Sequence, residues 1–159
     1  MPEGFLDALS PEEVAHLRTR GVVRRFPRGT ALFHERQVSD RVMLLTEGRV
    51  KIASVSYDGR ESVLAFRGPG EVLGELSAID GRPRSAGVTA VDPVEALVIP
   101  TRDFRAFLER SPRAALWILT RLITRLREAD RKRGLGWVET ERRAITVLDM
   151  EALRTRAGQ

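Results

Sequence analysis

From Val22 to Pro100 the apolar residues come in short runs, Val42–Leu45, Val50–Ala53, Val63–Phe66, Val88–Val91 and Ala96–Ile99, each too brief for a helix. Between them stand Pro27-Arg28-Gly29, Glu47-Gly48, Tyr57-Asp58-Gly59-Arg60, Gly68-Pro69-Gly70, Asp80-Gly81 and Asp92-Pro93. Turn formers at roughly ten-residue intervals are the rhythm of a small barrel or sandwich and argue against alternating strand–helix units. Helical signals flank this region. Ser10-Pro11-Glu12-Glu13 supplies a capping serine, a proline at the first helical position and acids in the first turn, which predicts a short helix to about Thr19. A second helix is expected from Thr101 and a third from Ser111-Pro112, reaching about Lys132. On the third, Ala115, Leu119, Leu122, Leu126 and Ala129 are spaced by four, three, four and three, a heptad seam suited to the same helix of a second copy. The stripe could also pack on the chain's own barrel. Trp117 and Ile118 lie off the seam and are expected to face the barrel.

The chain of 159 residues is 42% hydrophobic and 31% charged, room for one barrel domain over 1–110, a dimerisation helix over 111–133 and a small remainder over 134–159. The longest apolar runs are too short to span a bilayer, and Met1-Pro2-Glu3-Gly4 carries no secretory pattern, so a cytoplasmic location is expected. Zero cysteines exclude disulfides and thiolate metal sites, and His16 and His34 stand apart without ligand spacing, so no metal is expected. The net charge of +5 is not spread evenly: residues 121–133 carry six basic and two acidic groups, whereas residues 134–159 carry four of each. Such a patch could meet nucleic acid or simply be a solvated helix face.

The densest chemistry lies in Leu73-Gly74-Glu75-Leu76-Ser77-Ala78-Ile79, the loop Asp80-Gly81-Arg82-Pro83, and Arg84-Ser85-Ala86-Gly87. Gly74 permits close backbone approach, and a short helix from Glu75 would aim the amides of Leu76 and Ser77 at an anion. Glu75 could accept from a sugar hydroxyl. Arg84 offers a planar, permanently charged fork to a phosphate, and Ser85 adds a hydroxyl and, with Ala86, main-chain amides. Taken singly, these residues read first as an ordinary turn and a structural Arg84–Glu75 ion pair.

Together and in this order they resemble the phosphate-binding cassette of the Crp/Fnr family of transcription regulators. Thr46-Glu47-Gly48-Arg49-Val50-Lys51 and Tyr57-Asp58-Gly59-Arg60-Glu61 look like that family's signature hairpins, and the likeness runs from about Leu6 to Lys132. It implies a mainly β fold with some α: a cyclic-nucleotide-binding jelly-roll barrel (a double-stranded β-helix), a short N-terminal helix and a long C-terminal dimerisation helix. It further implies that Glu75 binds the ribose 2′-hydroxyl, that Arg84 and Ser85 bind the cyclic phosphate, and that a homodimer forms through the long helix. In the family's cyclic-AMP-responsive members, that helix presents a threonine and a following serine or asparagine to the adenine. Ala129-Asp130 stands at the matching place, so the alanine lacks the usual contact, while Asp130 could accept from an exocyclic amine or from guanine N–H groups. Arg125 matches a ligand-approaching position and equally suits an interhelical pair with Asp130. Cyclic AMP is expected ahead of cyclic GMP.

Past Lys132 the likeness changes. Arg133 to Asp149 resembles the wing hairpin that ends a winged helix-turn-helix, with a short closing helix from Met150 to Ala157. The segment lacks room for the support and recognition helices. Base-specific DNA reading is then without its helix, whereas weak, salt-sensitive contact through Arg133, Arg142 and Arg143 stays open. The expectation is a sensor in which ligand alters helix packing to control DNA binding; the alternative is a stand-alone ligand-binding or interaction module. A metal enzyme on a cupin-like barrel is disfavoured because no paired ligands or nucleophile–base set is visible, so no enzymatic activity is expected.

Overall fold

Ser10 caps the first helix as its sequence predicts: its Oγ accepts from the amide of Glu13, and the Glu13 carboxylate accepts from the amide of Ser10. This closes a capping box on α1 (Pro11–Arg20). The computed structural model describes residues 3–38 and 40–132. Eight strands follow, β1 (Val22–Phe26), β2 (Ala31–Phe33), β3 (Arg41–Glu47), β4 (Val50–Val55), β5 (Glu61–Arg67), β6 (Val72–Leu73), β7 (Gly87–Ala90) and β8 (Val94–Pro100), with α2 (Glu75–Asp80) between β6 and β7. Then come α3 (Thr101–Arg110) and α4 (Pro112–Lys132).

The strands form two four-stranded antiparallel sheets, ordered β1-β8-β3-β6 and β2-β7-β4-β5, which is the expected jelly-roll arrangement. Their inner faces share one core of Leu32, Phe33, Met43, Leu45, Val50, Leu73, Val88, Ala90, Val94 and Ala96. Alternation puts Met43 and Leu45 of β3 in that core, yet Val42 and Leu44 on the opposite face are buried too. The reason is a second layer, because α1 and α3 pack on β8 and β3 from outside. Phe5 joins this layer, with ring centroids 5.7 Å from Phe104 and 5.4 Å from Trp117. Side chains of this size, fully removed from water, stabilise by about 1.5–3 kcal/mol each. At the β3–β4 turn, Gly48 has φ of +84°, and a Cβ there would lie 2.2 Å from the carbonyl oxygen of Pro93. That turn therefore accepts only glycine.

The chain divides into two compact units, Met1–Trp117 and Ile118–Gln159. The hairpin, closing helix and arginines expected after Lys132, among them Arg133, Arg142 and Arg143, lie outside the described residues.

Candidate functional site

Gly74 stands between β6 and α2 with φ of +89° and ψ of 8°, the left-handed conformation that lets the chain turn sharply into the short helix. Glu75 and Ser77 in the first turn of α2 are buried, whereas Leu76 between them is exposed. First-turn amides of a helix have no intrahelical acceptor, so this end offers donors to an anion.

Arg84 arrives by another route. Its amide donates to the carbonyl of Gln37 (2.9 Å), and its carbonyl accepts from the amide of Arg36 (2.8 Å). Those bonds tie the segment before β7 to the turn after β2. The side chain points inward and is 5% exposed. Its Nη2 donates to the carbonyl of Arg41 at 2.6 Å and its Nη1 to that of Gly74 at 3.4 Å, while Nε is buried without a hydrogen-bond partner. The guanidinium carbon lies 3.7 Å from the centroid of Phe33. Arg41 reaches the same ring, its guanidinium carbon 5.3 Å from the centroid, with Nη2 on the carbonyl of Leu32 and Nη1 on Asp40. Burial is the main influence lowering the Arg84 pKa below the ordinary guanidinium value; the Arg41 charge adds to it, and Asp40 and Glu75 oppose it. The group nevertheless stays cationic at neutral pH. Charge-assisted bonds are strongest where water is excluded, so a buried fork with a donor to spare is a strong attractor for an oxyanion.

The structure thus brings Gly74 and Arg84 together in the first unit, with Glu75 close enough to Arg84 to favour its charge. Ser85 is exposed and Ala86 buried just before β7. Arg125, half-buried, and Asp130, exposed, both lie on α4 in the second unit. Two neighbours of Arg84 carry no signal in the sequence, Phe33 and Arg41. Nothing local marks them, since folding alone brings β2 and β3 beside Arg84. His16 stacks on the ring of Phe107, and His34 is exposed after β2. Among the described residues there is no group of three or more side chains arranged to hold a metal ion, and no helix is long and apolar enough to cross a membrane.

Residues 23–111 match the family described as the cyclic nucleotide-binding domain. The chain is 33% identical over 150 residues to the cyclic AMP receptor protein of Thermus thermophilus, covering 94% of this chain and 69% of that protein. It is 32% identical over 127 residues to a CRP-like cAMP-activated global transcriptional regulator of Mycobacterium tuberculosis, covering 80% of this chain and 57% of that protein. The crystal structure of the Thermus thermophilus catabolite activator protein superposes with a TM-score of 0.74 at 32% identity, over 95% of this chain and 71% of that one.

Proposed function

Since this chain belongs to the cyclic nucleotide-binding domain family, in its Crp/Fnr branch, we propose that Arg84 and Ser85 take the cyclic phosphate and that Glu75 takes the ribose hydroxyl. The observation that carries this reading is the buried Arg84 guanidinium, anchored on two main-chain carbonyls with Nε left over. A monoanionic phosphodiester answers that arrangement in charge and geometry. Glu75, buried at the first position of α2, supplies an acceptor beside it. To the amides of Leu76, Ser77 and Ala86 we assign the remaining donors to the phosphate.

Cyclic AMP is the ligand we assign, supported by the names of the relatives, a cyclic AMP receptor protein and a cAMP-activated regulator. By the same likeness, the ligand's output is control of transcription in the cytoplasm by a homodimer joined through α4, with DNA as the partner of the assembled regulator. Support for the dimer comes from the leucines that α4 exposes.

Calorimetric titration of the chain with cyclic AMP and with cyclic GMP, repeated on Arg84→Ala, tests the site. Saturable binding is expected, tighter for cyclic AMP, and Arg84→Ala should weaken it by about 2–5 kcal/mol, the cost of leaving a buried phosphate without its fork. Equal affinity in the variant would remove the assignment.

A further inference from the structure

A guanidinium recognises a phosphate well only if its plane is set before the ligand arrives, because two parallel N–H bonds must meet two oxygens of one group. The carbonyls of Arg41 and Gly74 hold one edge of the Arg84 fork. In-plane bonds of that kind leave the tilt of the plane about that edge unset. What the fork lies over is the ring of Phe33, its guanidinium carbon 3.7 Å from the ring centroid. We propose that Phe33 is a positioning residue for ligand capture: its π face sets the plane in which Arg84 presents its free N–H groups to the cyclic phosphate, and the stack persists with ligand bound. This deepens the functional reading above and rests on it.

Three features suit Phe33 to this task. Its ring is 2% exposed and belongs to the inter-sheet core, so it cannot turn away. Its strand is registered on the segment it serves, with Phe33 opposite Val88 of β7. The backbone of Arg84 is bonded in both directions to Arg36 and Gln37, immediately beyond that strand. Ring and fork are thus fixed to each other through the main chain as well as by their direct contact. A desolvated cation over an aromatic face is among the stronger forms of this contact. The second cation, Arg41, stands farther from the same ring at 5.3 Å and is engaged by Asp40 and the Leu32 carbonyl.

The test replaces the phenylalanine at position 33 in the full chain with mono-, di-, tri- and tetrafluorophenylalanine, which keep the ring's shape while draining the negative charge from its face. Cyclic AMP affinity is measured across the series in otherwise native protein and again in Arg84→Ala. Thermal unfolding of every variant is followed in parallel. A graded fall is expected in the native background, reaching about tenfold for the most fluorinated ring. In Arg84→Ala the residual affinity should not change along the series, because the ring then has no cation to orient. A flat series in the native background, with Arg84→Ala still weakening binding, overturns the positioning role and leaves the site intact. An equal fall in both backgrounds also overturns it, since Phe33 would then act through packing alone. Failure of the native chain to bind cyclic AMP or cyclic GMP removes the functional reading, and this inference falls with it.

Discussion

A Cβ atom built on Gly74 stands 2.3 Å from Nη1 of Arg84 and 3.2 Å from the carbonyl oxygen of Arg41. Adding a methyl group would therefore displace the fork and force an L-residue to hold φ of +89°. The backbone cost alone is about 1–2 kcal/mol. Gly74→Ala should lower the thermal midpoint and weaken cyclic AMP binding at least tenfold. A variant that loses stability but keeps full affinity would show that Arg84 tolerates displacement.

Arg36 is the one non-glycine among the described residues with positive φ, at 69°. Its amide bonds to the carbonyl of Arg84, so the strain lies in the turn that anchors the fork. Arg36→Gly relieves the strain but adds freedom to the unfolded chain; the two effects leave a net stabilisation of about 0.5–1 kcal/mol. Arg36→Ala loses the same charge while keeping the strain, and should bring no gain. Urea unfolding of both variants separates backbone from charge; equal stability in the two would remove the strain argument.

The cassette is legible in the sequence because Gly74, Glu75, Arg84 and Ser85 fall within one short stretch and each has a distinctive chemistry. Phe33 and Arg41 are not, because the carbonyl that Arg84 seeks lies 43 positions away, and a core phenylalanine that also serves as a platform has the same local pattern as one that does not. The strand cores in β3, β4, β5, β7 and β8 follow from their apolar runs. β6 is two residues long, held by pairing of Val72 and Leu73 with Leu44 and Met43, and no periodicity can be read in two residues. β1 escapes for the opposite reason: its residues are mostly exposed and include Arg24 and Arg25, so pairing with β8, not burial, makes it a strand.

On α4 the predicted seam residues Ala115, Leu119, Leu126 and Ala129 are exposed and Leu122 is half-buried. Leu116 and Ile123 widen the stripe, and Leu119 and Leu126 expose 53% and 60% of their surface. A second copy of the helix would cover them, at roughly 1.5–3 kcal/mol per fully buried leucine. Leu119→Lys and Leu126→Lys should each convert a dimer to monomer in sedimentation equilibrium at micromolar concentration, leaving the thermal unfolding of the barrel unchanged. Identical sedimentation of native and variant chains would show that the stripe is not the interface.

The carboxylate of Glu13 joins the starts of two helices. One oxygen accepts from the amide of Ser10 in the capping box of α1, and the other from the hydroxyl of Ser111, which itself accepts from the amide of Ala114 in the first turn of α4. The bond from Ser111, and then that from Ser10, hold the Glu13 pKa below the usual 4.5. A carboxylate whose pKa is lower folded than unfolded binds fewer protons in the native state, so stability rises with pH across this window. The contribution is complete above about 4.5 and is lost as pH falls through the depressed folded value. Glu13→Gln keeps a single carbonyl oxygen where two acceptors are needed, and should cost about 1 kcal/mol near neutrality. Urea unfolding across the acid range should show the gap between native and variant chains closing below that window. Ser111→Ala should cost a similar amount, and the double variant less than the sum of the two, because both substitutions break the same bond. A gap that persists undiminished in acid would mean that Glu13 stabilises the helix starts without its charge.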